Sequence, residues 1–316
     1  MTKLALVLGA ALLLLVAAAC GQGKEQPQPP TPAKVVTPPV KANVPPTKAD
    51  TPPTPVAAGD GTVFAKRAPA VGDKSEDKVG MTMAMETSVD VDGKGKPQKA
   101  TMEKSESETR QEEVLAVKGE AATKVKVTFV EKTVTVKEEG KERKRPSPVA
   151  GKTYVVEAKD GKLVVLLDGD RPAPPMQAKV VKEAYETLGK VDPLYAGVPG
   201  RPLKPGDKVE ELAKAMKEIM LTRAKEMEVS SVNVVFKGVK DGEGVFEVEV
   251  ALAAVEKPMR FDMKLKGEAR VSLTTGQPIS TNLKGPMSVG STEGEGARMK
   301  ISGTGSVEMT MERKKL

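Results

Sequence analysis

The sequence predicts a mainly β protein: one large, curved antiparallel sheet, an open or half barrel, carrying a short helical insert near its middle. Three observations predict this. Long stretches alternate apolar and polar residues with a period of two, glycine-containing turn pairs separate them, and only the middle of the chain shows helical spacing.

The alternation is cleanest near the C-terminus. Ala297, Met299, Ile301, Gly303, Gly305, Val307, Met309 and Met311 hold one phase, while Arg298, Lys300, Ser302, Thr304, Ser306, Glu308 and Thr310 hold the other. That is the pattern of a strand buried on one face. Phe261, Met263, Leu265, Gly267, Ala269, Val271 and Leu273 repeat it, as do Phe246, Val248, Val250, Leu252 and Ala254. In the first half, Val79, Met81, Met83, Met85, Val89 and Val91 alternate, followed by Val125, Val127 and Phe129. Val134 and Val136 then fall in the opposite phase, which requires a turn or bulge near residues 131–133.

Turn chemistry fits antiparallel connections. Asp92-Gly93, Asp160-Gly161 and Asp241-Gly242 separate apolar runs as hairpin turns do, and Thr275-Gly276-Gln277-Pro278 breaks another pair. Gly303 and Gly305, inside a long strand, remove side chains where a sheet must coil.

The insert is expected over about residues 178–228. A short helix over 179–188 follows a stop formed by Pro172, Pro174 and Pro175. Val209, Leu212, Ala213, Met216, Ile219, Met220 and Met227 recur at helical steps, with Asp207 as N-cap. Residues 191–205 hold four prolines and two glycines and read as a loop. A faint repeat, Val71-Gly72-Asp73-Lys74 against Pro205-Gly206-Asp207-Lys208, leaves open both a duplication and two unrelated strand runs.

Upstream of residue 59 the chain reads differently. Residues 1–19 are expected to be a secretory signal: Lys3 supplies the positive region, an apolar run follows, and Ala17, Ala18 and Ala19 supply small cleavage-site residues. The run is short for a membrane span, which needs about 20 apolar residues. From residue 27 to 55 there are 11 prolines in 29 residues with no periodic apolar face. This stretch reads as a polyproline-like spacer reaching up to roughly 90 Å, so that residues 20–58 are the Cys and its proline-rich tether and 59–316 the folded domain.

Composition narrows the chemistry. The chain of 316 residues has no His, no Trp and one Cys, so no imidazole base and no Cys-His or Ser-His couple is available. No catalytic residue, metal site or cofactor is expected. Glu247, Glu249 and Glu268 fall on the outward phase of strands, where solvated ion pairs belong. A net charge of +7 in an exported chain with 3% aromatic residues does not suggest nucleic-acid binding, which needs stacking side chains. The basic run Lys141, Arg143, Lys144 and Arg145 is expected to be a solvated hairpin loop able to meet anionic groups.

Methionine is abundant, at 15 residues. Unbranched thioethers suit the lining of a groove for acyl chains, and they equally suit a core with few aromatics. The candidate lining residues are Met81, Met83, Met85, Phe129, Met216, Met220, Phe261, Met263 and Met299.

The leader with small residues before Cys20 resembles that of bacterial lipoprotein precursors, in which this Cys is acylated and becomes the mature N-terminus. Ala17 stands where the lipobox usually has Leu or Val. The resemblance implies lipidation at Cys20 and a cell-envelope location. With Gly21, not Asp, after the Cys, it also implies the outer membrane. The β domain with its helical insert resembles the LolA and LolB type of open barrel, which implies a lumen for lipid or another apolar ligand. The alternative is a structural or assembly module acting on an envelope protein partner. Both are non-enzymatic.

Overall fold

The computed structural model describes residues 61–91, 97–168, 170–223, 227–256, 259–291 and 299–316. The leader, Cys20, the proline-rich stretch and the Asp92-Gly93 turn lie outside the described residues.

Among the described residues, twelve strands form one antiparallel sheet that does not close into a barrel. They are β1 (Lys74–Val91), β2 (Gln98–Lys118), β3 (Ala121–Glu138), β4 (Lys141–Pro146), β5 (Lys152–Lys159), β6 (Lys162–Leu167), β7 (Arg171–Pro172), β8 (Met227–Lys240), β9 (Glu243–Glu256), β10 (Met259–Ser272), β11 (Pro278–Ser291) and β12 (Met299–Lys315). The order across the sheet is β7-β6-β5-β3-β2-β1-β12-β11-β10-β9-β8. β4 pairs with the second half of β3, while β5 pairs with its first half. The first and last strands are thus neighbours at the centre; the first half of the chain runs outward from β1 and the second returns inward to β12.

The expected period of two is realised. In β12, Ile301 and Val307 are buried while Ser302, Thr304, Ser306 and Glu308 are exposed. The phase change in β3 is a bulge: Thr109 opposes Glu131 but Arg110 opposes Phe129, leaving Val130 as the extra residue. Asp160-Gly161 and Asp241-Gly242 have positive φ at both positions, as a two-residue hairpin turn demands. Glu139-Gly140 does the same, and this corrects the reading of the basic run. It is not a loop but β4, exposed along its whole length.

At β12, Gly303 and Gly305 face β1 so closely that a Cβ on either would collide with the carbonyl oxygen of Glu86 or Ala84. Only glycine permits that approach.

Three helices occur among the described residues: α1 (Pro175–Ala184), α2 (Pro193–Gly197) and α3 (Glu210–Arg223). Four local expectations need correction. Pro175 opens α1 instead of stopping the chain before it, because a first-turn residue has no use for its N–H. The proline-rich stretch after it contains α2, whose N-cap Asp192 accepts the Leu194 N–H at 2.8 Å. Asp207 does not cap α3, and Met227 belongs to β8, not to the helix.

Asp207 closes a turn, and that turn has a counterpart. Its carboxylate accepts the Lys204 N–H at 2.8 Å, its own N–H donates to the Lys204 carbonyl, and Gly206 and Asp207 together clamp Phe236 of β8. In the same pattern Asp73 accepts the Ala70 N–H at 2.8 Å, donates to the Ala70 carbonyl, and with Gly72 clamps Val114 of β2. Gly72 and Gly206 share φ values of 88° and 96°, and an arginine six residues upstream, Arg67 or Arg201, pairs with each aspartate. Each clamp also lies at a register shift, after Val114 and after Phe236. The faint sequence echo is one structural device used twice.

The apolar side chains of all the long strands share one face, here called inner. Two cores form on it. Under α1, Val180, Val181 and Tyr185 pack with Val125, Val127, Phe129, Tyr154 and Val156. At the other side, α3 packs on β8 and α2, burying Leu212 and Met216, while Phe64, Phe236 and Phe246 cluster with ring centroids 5.3–6.0 Å apart. The outer face carries ion pairs such as Lys266–Glu249 and Arg270–Glu268.

Candidate functional site: the inner face between the two helical cores

Between the cores, the inner face of β1, β12 and β11 lies away from the main helix packing, which is on β3, β5, β6 and β8, while the end of α1 reaches β2 through Tyr185. Register fixes which side chains share it. Met81 opposes Met309 of β12, and Val79 opposes Met311; on the other side Met85 opposes Met102 of β2. Residues directly opposite in an antiparallel pair project to the same face. Met81, Met83, Met102, Met309 and Met311 are half-buried, and Val79 is 36% exposed. Farther along β1 the face is filled: Met85, Val89 and, opposite, Ile301 are buried.

The candidate lining residues therefore divide. Met81 and Met83 lie in the half-open strip, and Met263, half-buried on β10 opposite Met287 and Leu252, lies three strands from β1, about 14 Å at the usual strand spacing. Met85 and Phe261 lie on the same face but are buried. Phe129 is fully buried, edge to face with Tyr154 at 6.0 Å, inside the α1 core. Met216 is buried in the α3 core and Met220 is half-buried on the same helix. Met299 opens β12 opposite Val91, and its side chain is outside the described residues.

One end of the strip is charged. Asp77, 2% exposed on β1, lies between Arg313 of β12 and Arg110 of β2. Arg313 donates to it from Nε at 2.7 Å and from Nη2 at 2.9 Å, and Arg110 donates from Nη2 at 3.1 Å. Arg110 also pairs with Glu108, which takes Lys132. Tyr185, at the end of α1, donates to Glu112 at 2.8 Å, and its ring lies 5.5 Å from the Arg110 guanidinium. Burial alone would raise the Asp77 pKa, but the hydrogen bonds and charges of Arg313 and Arg110 outweigh it, so the carboxyl is held below its ordinary value. Burial, with the nearby Glu112, pushes the Tyr185 hydroxyl well above its own. Asp77 is thereby held ionised and Tyr185 protonated at neutral pH. The network ties β1, β2, β12 and α1 together.

A second charged pair interrupts the inner face of β2: Lys104, 6% exposed, meets Glu106 at 2.8 Å. The sequence does not mark Lys104, Glu106 and Arg110 as inward, because β2 shows no alternation. A signal did exist, since Asp77 is in phase with Val79 and Met81, and Arg313 with Met309 and Met311: opposite charges in the inward phase of two strands that prove to be partners.

Surface clefts also occur elsewhere. One of about 720 Å³ lies between α1 and the β5–β6 turn, lined by Gly161, Leu163, Lys182 and Glu186 among others, and one of about 420 Å³ lies against Lys214, Lys217, Glu218 and Leu221 of α3. Neither includes a methionine of the strip. Among the described residues, no group of acidic or Cys residues could hold a metal ion, and no helix is long and apolar enough to cross a membrane.

No family model and no curated protein matches the chain. Solved structures give only a loose likeness. A lipovitellin structure concerned with lipid–protein interactions is 7% identical with a TM-score of 0.36, covering 78% of this chain, which spans only 26% of the lipovitellin chain. DynF, from the dynemicin biosynthesis pathway of Micromonospora chersina, is 10% identical with a TM-score of 0.22, covering 85% of this chain and 92% of its own. At such scores neither likeness bears on function.

Proposed function

We propose that this protein is a non-enzymatic lipoprotein of the bacterial cell envelope, tethered to the outer membrane by acyl chains on Cys20, and that its inner strip binds an apolar chain. One observation carries the binding reading. Met81, Met83, Met309 and Met311 are partly exposed thioethers on two adjacent strands, beside the buried Val307, between two cores that are otherwise closed by helices. Flexible, polarizable side chains left open on an inner face suit an adaptable apolar contact. The pairing of the inner-face charges supports the non-enzymatic part, since Asp77 and Glu108 are engaged by arginines and not poised as acid and base.

The filled end of the same face, at Met85, Val89 and Ile301, favours a second reading, in which the domain is a solid module of envelope assembly. Binding separates the two. A fluorescent fatty acid should bind the native protein saturably, and Met81→Lys should weaken binding while leaving a folded protein, because the half-exposed site lets a lysine head reach water. Absence of saturable binding by the native protein would leave the assembly module as the better account. The anchor is tested separately: mass spectrometry should find an acylated Cys20 at the mature N-terminus, Cys20→Ser should release the protein from membranes, and an unmodified terminus elsewhere would overturn it.

A further inference from the structure

The rim of the methionine strip is cationic, and its cations are uncompensated. β4 pairs with the half of β3 that follows the bulge, with Arg145 opposite Val134 and Arg143 opposite Val136. Following the register inward, Val134 opposes Glu106, which opposes Met81; Val136 opposes Lys104, which opposes Met83. Arg143 and Arg145 therefore project to the same face as the strip, three strands from Met83 and Met81, a distance of about 14 Å. Both are exposed.

The ion pairs of β4 divide by face. Lys144 projects outward and meets Glu131 at 3.9 Å. Arg143 and Arg145 project inward, and among the described residues neither has a carboxylate within ion-pair distance. Between them and the methionines, the charges of Lys104 and Glu106 neutralise each other, and Val134 and Val136 are half-buried. The row thus runs from free cations, across apolar and self-paired groups, to thioethers.

We propose that the inner face takes a single-chain amphiphile with an anionic head: the acyl chain lies on Met81 and Met83, and the carboxylate or phosphate head meets Arg143 and Arg145 on the β4 rim. This rests on the apolar-chain reading above and adds the ligand's charge and orientation. Charge complementarity carries it. Protection of an edge strand from unwanted pairing would explain charge on β4 of either sign and on either face. It does not explain two arginines without partners on the face that leads to the strip.

The test uses the chain from residue 20 with Cys20→Ser, so that no acyl anchor contributes. Three probes of equal chain length are compared: a fatty acid, a lysophosphatidic acid and a neutral monoacylglycerol. At least one anionic probe should bind roughly tenfold more tightly than the neutral one at low salt, the size expected of two arginines near an anionic group, and salt should erode the difference. Preference for the phosphate alone supports the proposal and assigns the head. The double variant Arg143→Glu/Arg145→Glu keeps the edge charged and, being wholly exposed, should leave the urea midpoint unchanged while abolishing the preference. Equal binding of charged and neutral probes, or an unaltered preference in the variant, overturns this inference but leaves the apolar-chain reading intact. Failure of all three probes overturns both.

Discussion

Asp77 on the first strand accepts a hydrogen bond from Arg313 on the last at 2.7 Å, across a separation of 236 positions in the chain. The two residues are register partners in neighbouring strands, so the bond staples the two halves of the sheet where they meet. Asp77 is almost fully buried, and Arg110 holds it from the other side.

Removing Asp77 leaves two guanidinium groups without their shared acceptor. Asp77→Ala should lower the unfolding free energy by roughly 2–4 kcal/mol in urea titration, short of the figure for a fully buried pair because the Arg313 head is partly solvated. The pH dependence follows from the lowered carboxyl pKa. The unfolded chain binds this proton more readily, so the contribution is complete above the ordinary carboxylate value and is lost as pH falls through the lower native value. The stability gap between the native protein and Asp77→Asn should therefore be constant from neutrality down to about pH 5 and should narrow below about pH 4. A gap that widened on acidification would contradict the network.

Close strand approach makes a second prediction. Gly305→Ala should destabilise the domain by about 1–3 kcal/mol or more, since the new Cβ meets backbone and not a side chain that can turn aside. Gly290→Ala on β11, where nothing lies within 4 Å of an added Cβ, should stay within about 0.5 kcal/mol. Comparable losses at both sites would mean that the β1–β12 approach is not as tight as described.

Core and strip methionines should separate by stability. Met216→Ala, in the α3 core, should cost about 2–5 kcal/mol, whereas Met81→Ala, half-buried on the strip, should cost less than about 1.5 kcal/mol. Urea midpoints decide it. Equal costs would mean that Met81 is core and that the strip is closed.

Strand content was legible in the sequence because one face of each strand is buried and the other solvated, and side-chain phase records that directly. Ile301 and Val307 against Ser302 and Glu308 needed no tertiary information, nor did the positive φ of Asp160-Gly161 and Asp241-Gly242, or the bulge betrayed by the phase of Val134. Helix ends were less legible: Pro175 suits a first turn as well as a stop, and Met227 fits a helical stripe and a strand alike. What tertiary structure alone decided was which inward residues are covered. Met81, Met216 and Phe129 all read as inward, and only the placement of α1 and α3 buries Phe129 and Met216 while leaving Met81 half-open. The same holds for charge. β2 has polar residues in both phases, so nothing local marks Arg110 or Lys104 as inward, and nothing local separates Arg143 and Arg145 from Lys144 by face. Register is a property of two strands, and its energy comes from partners far away in sequence; a single strand's pattern can state its own period but cannot name what stands opposite.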